Sequence, residues 1–387
     1  MMKKVANLWI DYIPKSYTEC HPIFNRDRIF ESFNVSNSLL DNGEKPDAVT
    51  FYRKKGTLEG VIAPSLLRRL RSRLFRFWDD RRFHSYILKT LDEQKADLVF
   101  IHFGTTAAQL IPVLEKVEIP TVAIFYGSDA SSALRSKKWI AAYGKMFPLL
   151  SHVIVLCEPV KERLAAVGCP REKILVWNLP AGIEKFPYQE RPPRETVRFV
   201  MCARFIEKKG QFLVLEAYRR LLASGRKAEL TLIGYGSGKL KIEEQARQLG
   251  VFEKVRILDT EARGDFNKFY NEQLRSMDVF VLPSLTAANG DDEGGPALTL
   301  VCAQAAGLPV ICTPFPGSEI TVRDGETGLL CKENDVETLH EKMEFLMDNQ
   351  QEWNRLGKNA SDFVQDRFSE KTQVAKIAEL FNTLMER

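Results

Sequence analysis

The chain has 387 residues, more than one hydrophobic core usually holds, so two domains are expected. Hydrophobic residues make up 44% and charged residues 27%, which is typical of a globular protein and excludes a disordered one. The net charge of +4 does not argue for a nucleic-acid partner, and we expect none.

The first apolar run is interrupted at Asp11 before it reaches signal-peptide length, and no later run approaches the roughly 20 apolar residues of a membrane span. We therefore expect a cytoplasmic protein. The seven cysteines form no Cys-x-x-Cys pair, and several lie inside apolar runs. This predicts reduced, buried thiols and no metal site.

Residues 65–83 combine leucines and aromatics at helical spacing with five arginines: Arg68, Arg69, Arg71, Arg73 and Arg76. The pattern predicts a basic amphipathic helix. Such a helix either lies on an anionic membrane surface, which would make the protein peripheral at the inner face of the cell membrane, or packs its leucines on its own domain. Both interpretations stay open at this point.

Short apolar runs alternate with helical patterns along the whole chain, which predicts parallel sheets covered on both faces. We predict a first Rossmann-like domain over 1–190, a linker over 191–198, a second Rossmann-like domain over 199–365 and a C-terminal helix over 366–387 that crosses back to the first domain. The fold class is therefore α/β, with two doubly wound domains facing across a cleft. In such sheets, ligands bind beyond the carboxyl ends of the strands.

The segment ARFIEKKG, residues 203–210, lies between a predicted strand and a predicted helix. Arg204, Lys208 and Lys209 would place positive charge beside the free N–H groups of the helix N-terminus, as a diphosphate site requires. The later turn LIGYGSGK, with Gly234 and Gly236, meets neither the dinucleotide fingerprint nor the Walker pattern. Its glycines could still let a nucleotide approach the backbone.

The stretch DDEGGPALTLVCAQAAG, residues 291–307, places three acids before two glycines, a proline and an apolar helix. Acids at a helix N-terminus can simply complement the helix dipole. Adjacent glycines at that point instead favour a ligand that approaches the backbone. We therefore predict a ligand site at Glu293, Gly294, Gly295, Pro296 and Ala297.

These motifs together, with DVFVLPSLTAANG before the acids and a Trp-containing helical tail, resemble family 4 of the retaining glycosyltransferases, which have the GT-B fold. Segments IHFGTTAAQL, AIFYGSDASS and VIVLCEPVKERLAAVGCPREKILVW resemble the acceptor domain of that family's exopolysaccharide and lipopolysaccharide branch. The resemblance implies that Arg204 and Lys209 grip the donor diphosphate and that Glu293 reaches the donor sugar. Glu293 matches the first Glu of the family's Glu-x7-Glu motif.

The sequence departs from the family at two positions. Val301 stands where the second Glu would hold the nucleotide ribose, and Tyr126 stands where relatives often have a sugar-contacting His. A valine accepts no hydrogen bond, whereas a phenol still has a hydroxyl near the sugar. His102, at the end of a predicted strand, and His21, in an N-terminal loop, are further candidate contacts to sugar or acceptor.

The sequence thus predicts a retaining hexosyl-type glycosyltransferase that moves a sugar from a nucleotide-diphosphate donor to a glycan or lipid-linked glycan in cell-surface polysaccharide biosynthesis. No cofactor and no metal are expected, because two cations and a helix N-terminus can neutralise the leaving diphosphate. Two alternatives remain: a nucleotide-sugar epimerase or phosphorylase of the same fold, and a non-catalytic partner subunit whose donor site has decayed.

Overall fold

A computed structural model describes residues 2–12, 29–39, 49–51, 81–261 and 265–386. The chain divides into two compact units. The first consists of Met1–Val155, Lys161–Trp177 and Val374–Arg387, and the second of Leu156–Val160 and Asn178–Gln373.

The described residues of the first unit form a seven-stranded sheet in the order β3-β2-β1-β4-β5-β6-β7, and every pairing between these strands is parallel. Its strands are β1 (Lys4–Tyr12), β2 (Glu31–Leu39), β3 (Val49–Phe51), β4 (Leu98–His102), β5 (Thr121–Ile124), β6 (His152–Val155) and β7 (Ile174–Val176). Within the described residues of this part of the chain, the helices are α1 (81–94), α2 (Gly104–Gln109), α3 (Ile111–Leu114), α4 (Lys137–Met146) and α5 (Glu158–Ala166).

The second unit contains a six-stranded parallel sheet in the order β10-β9-β8-β11-β12-β13. Its strands are β8 (Val197–Cys202), β9 (Ala228–Gly234), β10 (Val255–Asp259), β11 (Val279–Leu282), β12 (Val310–Cys312) and β13 (Leu329–Leu330). The helices of this half are α6 (Gln211–Ala223), α7 (Lys239–Gln248), α8 (Phe266–Leu274), α9 (Leu298–Ala305), α10 (Val336–Asp348), α11 (Glu352–Phe368) and α12 (Glu370–Met385).

The predicted fold class is confirmed: two doubly wound parallel sheets with helices between their strands, followed by a long C-terminal helix. Buried apolar runs explain the central strands, since all residues of β4, β5 and β11 are buried. Strands covered on both faces have this continuous apolar pattern.

The segment 191–198, predicted as a linker, lies within the second unit. Asp278, whose side chain is 1% exposed, accepts hydrogen bonds from Arg194 Nε at 2.9 Å and from Arg198 Nε at 3.1 Å. Arg191 is also buried, and its guanidinium donates to the Ala306 carbonyl at 3.1 Å. The three arginines of this segment therefore anchor it to the second unit.

The last helix, α12, contributes its residues from Val374 onward to the first unit. Phe381 is fully buried there, with its ring 5.3 Å from that of Phe100 and 5.9 Å from that of Phe30. A C-terminal segment thus completes the core of the first unit.

Several predictions lie outside the described residues: residues 65–80 of the predicted basic helix, His21 and Cys20. The described cysteines are Cys157, Cys169, Cys202, Cys302, Cys312 and Cys331, and each of these six is reduced and buried. Within the described ranges, no helix has the length and apolarity needed to cross a membrane.

Candidate functional site

Two turns at the carboxyl ends of adjacent strands meet in the second unit. One follows β8 and includes the 3-10 turn Glu207–Lys209, and the other follows β11 and leads to α9. Because β8 and β11 are parallel neighbours, both turns emerge at the same edge of the sheet. Most of the residues predicted from the sequence lie on these two turns.

An ion pair between Lys209 and Glu293 joins the two turns. Lys209 Nζ lies 2.7 Å from Glu293 Oε1 and 2.6 Å from Oε2, and the two side chains are only 12% and 6% exposed. Ser284 donates its hydroxyl to Glu293 Oε1 at 2.5 Å. The carboxylate predicted to reach the sugar is thus fixed by the lysine predicted to grip the diphosphate.

Burial and charge act in opposite directions on this pair. Burial acts to raise the pKa of Glu293, but the charges of Lys209 and Lys208 and the hydrogen bonds to the carboxylate hold that pKa below its ordinary value. Burial lowers the pKa of the Lys209 ammonium, and the charge of Glu293 opposes that shift. The site therefore holds Glu293 as a carboxylate at neutral pH.

Arg204 differs from Lys209 because it is exposed. It follows Ala203 after β8, and its positive charge contributes to lowering the pKa of Lys209. Helix α6 begins directly after Gly210, without a side-chain cap and without an acid in its first turn. An exposed cation beside an uncapped helix N-terminus suits an anionic ligand.

The third cation of the motif, Lys208, is directed at protein groups. Its ammonium lies 3.0 Å from Asp291 Oδ1 and 2.5 Å from the Asp292 carbonyl oxygen, and its side chain is 5% exposed. The charge pattern predicts Lys208 as a diphosphate contact beside Arg204 and Lys209, but in the structure its ammonium contacts Asp291 and Asp292.

The glycine-rich turn after β9 packs closely on the turn after β8. A Cβ atom at Gly234 would lie 2.0 Å from the Ala203 carbonyl oxygen, and one at Gly236 would lie 2.9 Å from that of Phe205. Gly236 also has a φ of 137°, which side chains rarely allow. Contact with the neighbouring turn thus accounts for these glycines, and their contact with a nucleotide remains a prediction.

The glycines before α9 have a similar explanation. Gly294 has a φ of 65°, and a Cβ at Gly295 would lie 2.5 Å from that of Leu156. Pro296 and Ala297 precede the first residue of the helix, Leu298. The group that approaches the backbone closely at Gly295 is thus a protein side chain, that of Leu156. Donor binding by Gly294, Gly295, Pro296 and Ala297 stays a prediction.

Val301 lies in the core of the second unit with none of its surface exposed. Leu300 and Ala303 of the same helix are equally buried. The position that the family motif assigns to a ribose-binding acid is therefore a packing position in this chain.

In the first unit, His102 and Tyr126 lie at the ends of β4 and β5 and are hydrogen-bonded, with 2.7 Å between His102 Nδ1 and the phenol oxygen. Asn7 donates to the Phe33 carbonyl, and its Oδ1 lies 3.2 Å from His102 Nε2. Trp9 stacks on the imidazole, with ring centroids 3.6 Å apart.

Asp129 fixes the two loops that follow these strands. Its carboxylate accepts N–H bonds from Gly104 at 2.8 Å, Tyr126 at 3.0 Å and Gly127 at 2.9 Å. Burial raises the pKa of Asp129, and the three N–H bonds oppose that shift. Asp129 thereby holds Tyr126 in place beside His102.

Ser284 and Asp129 are two residues of these clusters that the sequence analysis did not select. Each is a polar residue shortly after an apolar run, in DVFVLPS and AIFYGSD. Position at the carboxyl end of a parallel strand is a signal that could have identified both.

Family models and solved structures define the class of protein to which the chain belongs. Residues 33–182 match the family model "Glycosyltransferase Family 4", and residues 183–363 match "Glycosyl transferases group 1". A sucrose-phosphate synthase from Thermosynechococcus elongatus has a TM-score of 0.79 at 15% identity, covering 99% of both chains. Anabaena HepE in complex with UDP-glucose has a TM-score of 0.76 at 16% identity, covering 99% of this chain and all of that one. The fold is the GT-B fold expected from the resemblance.

The sequence relatives include glycosyltransferases of polysaccharide biosynthesis. The amylovoran biosynthesis glycosyltransferase AmsK of Erwinia amylovora is 30% identical over 63% of this chain, and the capsular polysaccharide biosynthesis glycosyltransferase CapM of Staphylococcus aureus is 25% identical over 60%. These matches span 60% of AmsK and 62% of CapM. Together with the two models, which match consecutive parts of the chain, they show that it belongs to glycosyltransferase family 4.

Proposed function

We propose that the chain is a retaining glycosyltransferase that moves a hexosyl group from a nucleoside-diphosphate sugar to a glycan or lipid-linked glycan acceptor. The observation that carries this proposal is the buried pair of Lys209 and Glu293, with Arg204 at the uncapped start of α6. A diphosphate takes the cations and the helix N-terminus, and a carboxylate accepts hydrogen bonds from sugar hydroxyls.

The relatives support the substrate class. HepE was solved with UDP-glucose, and AmsK and CapM are described as glycosyltransferases of polysaccharide biosynthesis. By analogy, the acceptor here is a glycan of a cell-surface polysaccharide. The first unit would bind it, with the hydrogen-bonded pair of Tyr126 and His102 as candidate contacts to its hydroxyl groups.

In this mechanism Arg204 and Lys209 stabilise the negative charge that develops on the leaving diphosphate. Lys209 leaves Glu293 when the diphosphate arrives, and Glu293 keeps the Ser284 hydroxyl while it turns its other oxygen to the sugar. Metal independence and retention of configuration are parts of the proposal. Full activity in excess EDTA would support metal independence. An NMR spectrum in which the first product has the same anomeric configuration as the donor sugar would support retention.

A non-catalytic subunit is the second candidate, and the burial of Val301 is the observation in its favour. An epimerase of this fold would form product from the nucleotide sugar without any acceptor. Product analysis with and without acceptor therefore separates the transferase from the epimerase.

The first test is a thermal-shift titration with UDP, GDP, dTDP and CMP and their common sugars. A ligand at 100 times its dissociation constant adds about 2.7 kcal/mol of stability, enough for a clear shift. Lys209→Met should reduce the shift with the bare nucleotide, whereas Glu293→Gln should reduce only the increment that the sugar adds.

Lys227→Met is the matched control, because Lys227 forms an exposed ion pair with Glu195 elsewhere in the same unit. It should leave every ligand shift unchanged. Absence of a shift with all nucleotides, in a folded wild-type sample, would favour the non-catalytic subunit.

A further inference from the structure

Three consecutive residues of the turn after β8 hold the segment 285–293 that leads to Glu293. The Lys208 carbonyl accepts from the Leu285 N–H at 2.8 Å, and Glu207 Oε1 accepts from the Ala288 N–H at 3.0 Å. Further along, the Lys208 ammonium reaches Asp291 and Asp292. The two turns are thus joined at several points before the Lys209–Glu293 pair is reached.

The burial of Lys208 makes this connection strong. Its side chain is 5% exposed and that of Asp291 is 19% exposed, so the ammonium has exchanged water for a carboxylate and a carbonyl. An ammonium has three donors, and two of them are directed at the 285–293 segment. Loss of one partner of such a pair leaves the other charge poorly compensated.

We propose that Lys208 is a positioning residue that fixes the acidic segment, and through it Glu293, in register with Lys209. It is not a diphosphate ligand, in contrast to Lys209. This inference rests on the proposed function, since Glu293 matters as a sugar contact only if a nucleotide sugar binds. It divides the adjacent lysines of one motif into a structural and a ligand-binding role.

The test compares Lys208→Met with Lys209→Met in the full chain, with inorganic pyrophosphate, UDP, GDP, UDP-glucose and GDP-mannose as the probes. For Lys208→Met we expect the dissociation constants of pyrophosphate and of the bare nucleotide to stay within threefold of wild type, while the extra affinity from the sugar falls at least tenfold. For Lys209→Met the bare nucleotide should itself bind at least tenfold more weakly. Equal loss of pyrophosphate and nucleotide binding in both variants would overturn the assignment.

A stability measurement tests the connection without any ligand. Asp291→Asn and the double variant Lys208→Met/Asp291→Asn complete a cycle in urea unfolding, and Lys227→Met is the control. The double variant should lose less free energy of unfolding than the two single variants lose together. The difference should correspond to at least a factor of ten in the unfolding equilibrium constant. Additive effects would contradict the positioning role.

The two failures are distinguishable. If no nucleotide or pyrophosphate binds wild type while the cycle shows coupling, the proposed function fails and Lys208 keeps only its connection between the turns. Should Lys208→Met not fold, Asp291→Asn alone carries the binding test, with the same expected loss of the sugar increment and the same retention of nucleotide. Lys208→Arg keeps the charge and should recover part of that increment.

Discussion

At the scale of single residues, Glu293 gives a prediction about acid stability. Its pKa in the folded chain lies below the ordinary value of 4.5. The stabilisation from its ionised form is therefore complete above that value and is lost as the pH falls through the folded pKa. Glu293→Gln should lose less free energy of unfolding than wild type when the pH is lowered from about 6 to about 3.

The same variant should be less stable than wild type near neutral pH, by about 3 kcal/mol, because it leaves the Lys209 ammonium buried without its carboxylate. Urea unfolding across the pH range measures both effects. Asp362→Asn is the control, since Asp362 is 63% exposed in its pair with Lys358. Parallel pH curves for wild type and Glu293→Gln would contradict the lowered pKa.

Residue chemistry also explains how much of the site was predictable. Arg204, Lys209 and Glu293 follow from charge placed at the ends of apolar strands, and the structure brings Lys209 and Glu293 into contact. The charge pattern alone does not separate Lys208 from Lys209, because adjacent lysines have the same chemistry. The family resemblance assigns only Lys209 to the diphosphate, and the structure buries Lys208 against the 285–293 segment.

At the scale of elements, the packing of α9 leads us to predict that a glutamate at position 301, where the family motif has its second Glu, would destabilise the chain. Val301 is fully buried in that helix, so Val301→Glu would place a carboxylate in an apolar core. We expect a loss of at least about 3 kcal/mol in the free energy of unfolding. Val301→Ala should cost about 1.6 kcal/mol, from two buried carbon groups at about 0.8 each, and leave nucleotide affinity within twofold.

Chemical denaturation measures the loss of unfolding free energy in both Val301 variants, and the nucleotide titration measures the affinity. Leu240→Glu is the stability control, because Leu240 is 76% exposed and should tolerate the charge within about 0.5 kcal/mol. A stable Val301→Glu protein with tighter nucleotide binding would show that this helix does present residue 301 to the ligand.

Strands differ in how visible they are in the sequence. The strands from β4 to β6 and from β8 to β13 coincide with apolar runs of the kind from which the sequence predicts parallel sheets. Strand β2 was missed because its buried face carries Ser32, Asn34 and Ser36 rather than apolar residues. Periodicity identifies a strand by its apolar face, so a polar buried face removes the signal.

At the scale of the whole molecule, the C-terminal helix packs the end of the chain into the core of the first unit. Phe381 is fully buried beside Phe30 and Phe100, and Ile377 is 1% exposed on the same helix. Phe381→Ala should destabilise the first unit by about 3 to 5 kcal/mol, through lost burial and the cavity that remains.

Because two units need not unfold in one step, amide hydrogen exchange is the suitable measurement. Phe381→Ala should speed exchange in β1 and β4 and leave β8 and β11 unchanged, whereas Asn382→Ala, at the exposed neighbouring position, should change neither. Equal acceleration in both sheets would mean that the units unfold together, and no acceleration in β4 would mean that the helix adds little to the first unit. The expected result would make the last residues of the chain a structural part of its first unit, as the C-terminal helix that the sequence predicts to cross back to the first domain requires.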